Sequence, residues 1–132
     1  MKTQLIDWSE DEHTLNLDIM DDTHQVFIEL LNNLYRSSDK DFQGLYDSFC
    51  IHTEEHFSHE NQLMQDSAFP ARNEHMDEHH RILGELHRFK KRIDMGLYAF
   101  GRAYLRDSMP RWFGLHIATM DSALAAHLKN IR

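Results

Sequence analysis

The chain has 132 residues, 41% of them hydrophobic, so it is long enough to bury an apolar core as one domain spanning 1–132. Its 14 basic and 22 acidic residues give a formal net charge of -8, which disfavours binding to nucleic acid or to an acidic membrane surface. Cys50 is the only cysteine, and no segment has the apolar run of a signal peptide or a membrane span, so we expect a cytoplasmic protein without an internal disulfide.

Apolar residues recur every three or four positions through most of the chain, which is the pattern of amphipathic helices. After an N-terminal arm at 1–20, this spacing predicts helices at about residues 22–37, 41–66, 71–95 and 102–129. Pro70 is placed to start the third helix, Gly96 to end it, and Pro110 to kink the fourth or to occupy its first turn. Because nothing predicts a β-sheet, we expect an all-α fold, an up-down-up-down antiparallel four-helix bundle formed by residues 21–132.

Five histidines and two carboxylates are predicted to share one layer of this bundle. In a tight antiparallel pair of helices, residues equidistant from the middle of the connection lie at about the same depth. Three pairs fit this rule: His24 with His56 about position 40, Glu60 with His79 about position 69.5, and His75 with Asp121 about position 98. With His116 added, the set exceeds what one ordinary metal ion accepts, so we predict a site for two ions.

The spacing of two pairs suits metal binding directly. His56 with Glu60, and His75 with His79, are four residues apart and therefore stack on one face of a helix. Imidazole suits iron, copper, zinc and nickel, and carboxylates can bridge a pair of metal ions and offset their charge. The absence of a cysteine cluster excludes an iron-sulfur centre.

The fourth helix presents its candidate ligands differently. His116 and Asp121 are five residues apart, about 140° around an ideal helix, so they cannot simply stack. They flank an apolar stripe that faces the core. A local π turn would help both side chains to converge on a broad site for two metal ions.

The remaining histidines are expected to be bystanders. His52 and His59 fall toward the flanks of the second helix and are interpreted as surface residues. Trp112, Phe113 and Met64 are expected in the core, and some of them could line the metal pocket. Four further histidines lack a partner in the common layer and are expected to be solvated or to support the site: His13, His80, His87 and His127.

Two other classes of metal enzyme have motifs that partly match this sequence. Residues 75–79 formally match the H-x-x-E-H motif of inverted zinc peptidases, with Glu78 as the base. That interpretation leaves His24, His56 and His116 unexplained, and a small bundle has no long cleft for a polypeptide. Ferritin-like oxidases need paired Glu-x-x-His motifs on carboxylate-rich helices, and the only such motif here lies in the arm.

An ordered series of sequence pieces runs through nearly the whole chain. It comprises Trp8, Asp21-Asp22-Thr23-His24, His56-Phe57-Ser58-His59-Glu60, Leu63-Met64, Phe69-Pro70, His75-x-x-x-His79 and His116-Ile117-x-x-x-Asp121. In this combination the chain resembles the hemerythrin family, specifically the single-domain bacteriohemerythrins. The resemblance implies one iron bound by His75, His79 and His116, a second iron bound by His24 and His56, and bridges from Glu60, Asp121 and an oxo or hydroxo group.

The resemblance also implies a function. Two iron ions, cycling between Fe²⁺ and Fe³⁺, would bind dioxygen reversibly for carriage, storage or delivery, with no catalytic turnover required. The iron held by His24 and His56 has fewer protein ligands, so dioxygen is expected to bind there. An apolar pocket would slow the access of water and protons.

Two alternatives to a carrier remain open. One is a sensor of oxygen, nitric oxide or redox state, in which an unknown redox or oxygen-accepting partner protein supplies the output. The other is a di-iron oxidase or peroxidase, which the histidine-rich and carboxylate-poor ligand set disfavours.

The chain departs from the family pattern at two positions. Asn61 stands where the family often has an acid, and Thr23 stands where it often has glutamine. Neither is expected to touch a predicted metal ligand. The departures therefore bear on how the surroundings tune the site and its autoxidation rate.

Overall fold

The fold is built from helices. The structure is a computed structural model that describes residues 4–131, apart from the side chains of residues 10 and 11. In chain order the helices are α1 (Glu10–His13), α2 (Asp18–Arg36), α3 (Asp39–Asp66), α4 (Arg72–Ile93), α5 (Ala99–Asp107), α6 (Met109–His116), a π turn (Ile117–Asp121) and α7 (Ser122–Asn130). Residues 4–131 contain no strand, and the all-α prediction is confirmed.

Four antiparallel rods form the bundle, and the fourth rod is the continuous run from α5 to α7. α2 packs on α3, α3 on α4, α4 on α5, and α5 returns to α2. The connections are short, at 37–38, 67–71 and 94–98, so successive rods run in opposite directions. The predicted up-down-up-down four-helix bundle is therefore confirmed.

The helix boundaries follow the punctuation of the sequence, with small shifts. α2 begins at Asp18, before the predicted start near residue 22, and the fourth rod begins at Ala99. Gly96 has a φ of +82°, a conformation that glycine adopts without strain, and its N–H donates to the carbonyl of Ile93 at 2.9 Å. Pro110 lies in the first turn of α6, where its missing N–H costs no helical hydrogen bond.

The core is aromatic and aliphatic along the whole bundle. Tyr46 is fully buried, and its hydroxyl donates to the carbonyl of Leu86 at 2.6 Å, so α3 and α4 are joined by a polar contact inside the core. No helix within residues 4–131 combines the length and the apolar character needed to cross a membrane. The largest fully buried side chains are Phe27, Phe42, Tyr46, Phe49, Phe57, Phe113, Met20, Leu31, Leu34, Met64, Ile82 and Leu86.

Two buried polar side chains of α2 hold the arm on the bundle. Asn32 accepts hydrogen bonds from the N–H groups of Leu5 and Ile6 at 2.8 and 3.1 Å and donates to the carbonyl of Ile6 at 2.7 Å. Asp21 accepts from the N–H of Leu15 at 2.8 Å and from the hydroxyl of Thr14 at 3.0 Å. The arm is therefore packed against the core as part of the fold.

Candidate metal centre

The structure brings all seven predicted site residues together inside the bundle. Every one of them is at most 6% exposed. Each rod contributes: His24 from α2, His56 and Glu60 from α3, His75 and His79 from α4, His116 from the end of α6, and Asp121 from the end of the π turn. Their role as metal ligands stays a prediction.

The pairs predicted to lie at one depth are in contact across the bundle. The ring centroids of His24 and His56 are 5.2 Å apart, Nε2 of His79 is 3.2 Å from Oε1 of Glu60, and Nε2 of His75 is 3.1 Å from Oδ1 of Asp121. Helix geometry and short connections therefore suffice to align residues that are far apart in sequence.

A π turn explains how the fourth rod contributes two residues that are five positions apart. The N–H of Ser122 donates to the carbonyl of Ile117, five residues earlier, which is the hydrogen bond of a π-helix. This local widening brings Nε2 of His116 within 3.2 Å of Oδ1 of Asp121. A π turn, which the sequence suggested only as an aid to convergence if one were needed, is present.

The two oxygens of Glu60 face different histidines. Oε1 lies 3.2 Å from Nε2 of His79 and 3.6 Å from Nε2 of His75. Oε2 lies 2.7 Å from Nε2 of His56 and 3.4 Å from Nε2 of His24. The carboxylate therefore stands between two separate sets of imidazoles.

Asp121 divides its oxygens in the same way. Oδ1 lies 3.1 Å from Nε2 of His75 and 3.2 Å from Nε2 of His116, whereas Oδ2 lies 3.1 Å from Nε2 of His24. Both carboxylates thus separate the same two sets. We call them the three-histidine group, which is His75, His79 and His116, and the two-histidine group, which is His24 and His56.

Burial and nearby charge act in opposite directions on the imidazoles of this cluster. Burial lowers the pKa of His24 and of His75, but the close, negatively charged oxygens of Asp121 and Glu60 outweigh burial and raise these pKa values to about 10 and about 9. Burial would raise the pKa of Glu60, but the surrounding imidazoles hold it well below its ordinary value. For His79 burial prevails and lowers the pKa. The carboxylates therefore favour the charged forms of His24 and His75, and the imidazoles favour the charged form of Glu60.

The donor atoms fit a pair of cations. Several of them are buried without a hydrogen bond of suitable geometry: Nε2 of His24 and of His79, Oε1 of Glu60, and both carboxylate oxygens of Asp121. Such atoms are costly to bury unless something satisfies them. One ligand atom from each of Glu60, His75, His79 and His116 lies within 4.8 Å of the others, and the same holds for His24, His56 and Glu60. Imidazole nitrogen and carboxylate oxygen are donors that iron accepts.

The surroundings of the three-histidine group include a contact that the sequence did not predict. Nδ1 of His79 donates to Oδ1 of Asn61 at 2.8 Å, and Phe57 stacks on the face of the histidine ring with centroids 4.0 Å apart. The expectation that Asn61 would not touch a predicted ligand is therefore wrong. For Thr23 it holds, since its hydroxyl donates to the carbonyl of Ile19 on the exposed surface.

Apolar rings surround the two-histidine group. Phe113 meets His24 edge-on with centroids 5.6 Å apart, and Phe27 meets His56 edge-on at 6.1 Å. Phe27 also stacks on Phe113 at 4.5 Å and contacts Phe49 at 5.1 Å. All three phenylalanines are at most 1% exposed, so this side of the site is dry.

The histidines outside the site are not all at the surface. His59 is exposed as expected, but His52 is only partly exposed, and its Nε2 is buried without a partner. His13 is 5% exposed, and its ring lies 5.4 Å from that of Trp8 and 6.4 Å from that of Phe113. Its position depends on how the arm folds back, which helical spacing does not reveal. The other three lie farther out: His80 is exposed, His87 contacts Glu54 at the surface, and His127 donates to the carbonyl of Ser67.

Glu78 does not face the cluster. Its carboxylate accepts a hydrogen bond from Nε1 of Trp112 at 2.8 Å and pairs with Arg81. A peptidase base would have to face the metal ion bound by His75 and His79. The zinc peptidase interpretation therefore finds no support in the structure. Trp112, expected in the core, is only partly buried.

The sequence was compared with known families and the fold with solved structures. The family description "Hemerythrin HHE cation binding domain" matches residues 15–128. A bacteriohemerythrin of Ralstonia nicotianae is 35% identical to this chain, and the match covers 94% of this chain and 89% of that protein. A myohemerythrin of Sipunculus nudus is 27% identical, and the match covers 78% of this chain and 87% of that protein. The crystal structure of a wild-type hemerythrin has a TM-score of 0.87 at 21% identity, covering 94% of this chain and 98% of that one, which shows the shared fold. The chain therefore belongs to the hemerythrin family, and membership implies a di-iron, oxygen-binding domain.

Proposed function

We propose that this protein binds dioxygen reversibly at two iron ions, for carriage, storage or delivery. The observation that carries the proposal is the division of the oxygens of Glu60 and Asp121 between the three-histidine group and the two-histidine group. One metal ion could use only one of these two sets. A carboxylate with one oxygen toward each set is arranged to bridge two ions.

The ligand set of each iron follows from this division. His75, His79 and His116 would hold one ion, and His24 and His56 would hold the other. Glu60 and Asp121 would bridge them, together with an oxo or hydroxo group. The two iron ions would supply the electrons that dioxygen takes up on binding and returns on release.

The unequal number of histidines determines where a small molecule can bind. The two-histidine group offers one nitrogen fewer, so the ion held there has room for a further ligand. The rings of Phe27 and Phe113 beside this group exclude water and provide an apolar space that suits dioxygen. No side chain needs to act as a catalytic base for this function.

The hydrogen bond from His79 to Asn61 supports the three-histidine group in a specific way. Since Nδ1 of His79 carries the proton that Asn61 accepts, Nε2 is left with a free lone pair that faces Glu60. This contact fixes both the tautomer and the orientation of the ring. The ring is therefore set in advance to donate Nε2 to a metal ion.

A spectrum of the iron-loaded protein tests the proposal. The protein is loaded with Fe²⁺ without oxygen, exposed to air, and then freed of oxygen again while its ultraviolet and visible absorption is recorded. A charge-transfer band that develops with oxygen and is lost on its removal supports reversible binding. Irreversible formation of a ferric species, with consumption of added reductant, would contradict the proposal and favour an oxidase.

A sensor is the second candidate, and one contact favours it. His13, on the arm, lies against Phe113, which lies against His24 of the two-histidine group. A change at the site could therefore reach the arm through a single ring. Hydrogen exchange of residues 4–17 tests this function: equal exchange in the oxygenated and oxygen-free states would contradict a sensor that signals through the arm.

A further inference from the structure

One partly exposed ring lies directly against a predicted metal ligand. The indole of Trp112 stacks on the imidazole of His116 with centroids 4.7 Å apart and planes 23° apart. The same residue lines an open cleft of about 390 Å³ between α4, α5 and α6. Trp112 therefore reaches from solvent to the three-histidine group in one side chain.

Polar contacts fix the orientation of the indole. Its Nε1 donates to Oε1 of Glu78 at 2.8 Å, and Arg81 holds the same carboxylate. The ring therefore cannot rotate away from His116 without losing a hydrogen bond to a charged acceptor. Trp112 also meets Phe57 edge-on at 6.1 Å, and Phe57 stacks on His79, so a second contact leads to the same group.

The other rings around the five imidazoles do not offer the same connection. Phe27, Phe57 and Phe113 are each at most 2% exposed. His52 is partly exposed, but its ring is tilted by 57° and lies 6.1 Å from that of His56. Among residues 4–131, Trp112 is the partly exposed ring that is stacked on a member of either histidine group.

Electron tunnelling through a protein weakens steeply with distance and is favoured by conjugated groups in van der Waals contact. We infer that Trp112 is the route by which electrons from a donor in the cleft reach the iron of the three-histidine group. This inference rests on the proposed function. The role of Trp112 would be to pass the electrons that return the ferric protein, which cannot bind dioxygen, to the ferrous state.

The transfer would be a redox step that forms and breaks no bond in the protein. One reduced flavin would give up two electrons in turn, one for each ferric ion, and would release two protons to solvent as it becomes the oxidised flavin. Arg81, Glu85 and Arg88 line the cleft, and Arg81 is paired with Glu78 and Glu85. Arg88 is therefore the guanidinium group placed to bind a donor with an anionic group, such as a reduced flavin nucleotide.

Reduction kinetics test the route. Ferric, iron-loaded protein is mixed without oxygen with reduced flavin mononucleotide, and the loss of ferric absorption is followed for wild type, Trp112→Phe and Trp112→Leu. We expect Trp112→Leu to be reduced several-fold more slowly and Trp112→Phe, which keeps an aromatic ring, to lie between. Trp8→Leu is the matched control, because Trp8 contacts His13 and is separated from His24 by two further rings.

Iron content and midpoint potential are measured for each variant, so that a slower rate is not mistaken for a lost ion or a changed driving force. Reduction of Trp112→Leu at the wild-type rate, with two ions bound, would overturn the route and leave reversible oxygen binding intact. If wild-type protein itself shows no reversible oxygen band, the proposed function fails whatever the reduction rates.

Tryptophan fluorescence gives a second readout that needs no substitution at the route. The chain has two tryptophans, so Trp8→Phe leaves Trp112 as the only tryptophan, whose emission is separated from that of the tyrosines by selective excitation. Because its indole is stacked on His116, we expect iron loading to quench this emission strongly. Unchanged emission on loading would show that the indole is not coupled to the metal site and would overturn the inference.

Discussion

The three-histidine group and the two-histidine group share two carboxylates but have opposite surroundings. Around the three-histidine group, Asn61 accepts a hydrogen bond from His79, and the partly exposed Trp112 stacks on His116. These contacts orient His79 and place a partly exposed ring against His116. In the proposed function, this side would hold a metal ion firmly and receive electrons through Trp112.

The two-histidine group has no orienting hydrogen bond of this kind. Nδ1 of His24 and of His56 is buried without a hydrogen-bond partner in the described part of the chain, as is Nδ1 of His75 and of His116, so among the five imidazoles His79 is the one with such a bond. Phenylalanines pack against His24 and His56, and we call them the apolar wall; the partly exposed His52 lies 6.1 Å from His56 without stacking on it. An apolar wall cannot orient an imidazole, but it shields it from water. In the proposed function, one side would therefore hold its metal ion firmly and the other would leave a protected space.

The largest effect should come from removing a carboxylate that both sides share. We expect Glu60→Gln to lose both ions, because the amide has no charge and cannot bridge the two histidine groups. Glu55→Gln, an exposed position on the same helix, is the matched control and should keep normal iron content. Metal analysis of the purified proteins gives the result, and loss of only one ion would show that the two sides are independent sites.

The apolar wall of the two-histidine group can be broken next. Phe113→Ala should cost about 3–5 kcal/mol of unfolding free energy, as expected for truncating a buried phenylalanine. It should also shorten the life of the oxygen-bound form, because water gains access to His24. Phe42→Ala removes an equally buried ring at the α3–α5 contact and should destabilise the fold without shortening that life. Equal effects of both variants on the oxygen-bound form would mean that the wall has no local role.

The pH dependence of the unfolding free energy of the metal-free protein tests His24 and His75, one member of each histidine group. His24 and His75 have folded pKa values raised to about 10 and about 9, above the ordinary value of 6.5. Their contribution to stability is therefore complete below about pH 6.5 and is lost as the pH rises through the folded values, at no more than about 1.4 kcal/mol per pH unit for each proton held. Urea unfolding between about pH 7 and 10 should show this loss. Iron-loaded protein should lack it, and an identical slope in both forms would contradict the assignment.

The smallest effect should come from removing the hydrogen bond between Nδ1 of His79 and Asn61. Asn61→Ala removes the acceptor of its Nδ1 proton and should weaken iron binding by about 10–100-fold, as for other partners of metal-bound histidines. Asn61→Asp keeps an acceptor and should bind iron at least as well as wild type. Thr23→Ala, at the other position that departs from the family pattern, should have no effect, and iron titrations with a competing chelator measure all three.

The sequence was sufficient to predict the common layer, because helix rise and short connections fix the depth of each residue. His24 and His56, or His75 and Asp121, are aligned by counting alone, and the spacing of His116 and Asp121 showed where a π turn would help if one were needed. The fold class followed from the same periodicity.

Contacts that depend on how the arm folds back and on side-chain direction could not be predicted in this way. The burial of His13 depends on the arm, which has no helical period to place it against Phe113. The bond from His79 to Asn61 depends on which nitrogen faces the site, a choice that sequence spacing does not determine. For Trp112 the sequence indicated only an apolar ring, whereas the indole stands between the core and the cleft.

The π turn at Ile117–Asp121 has a consequence for protein engineering. An ideal α-helix advances each residue by about 100°, so it cannot direct both His116 and Asp121 at adjacent metal ions. The π turn takes up one extra residue, so regular α-helical winding of the unchanged sequence would rotate everything after the turn and take Leu124 out of the core. A scaffold meant to receive His116 and Asp121 at this spacing must therefore be one residue longer in its last rod than an idealised bundle of the same height.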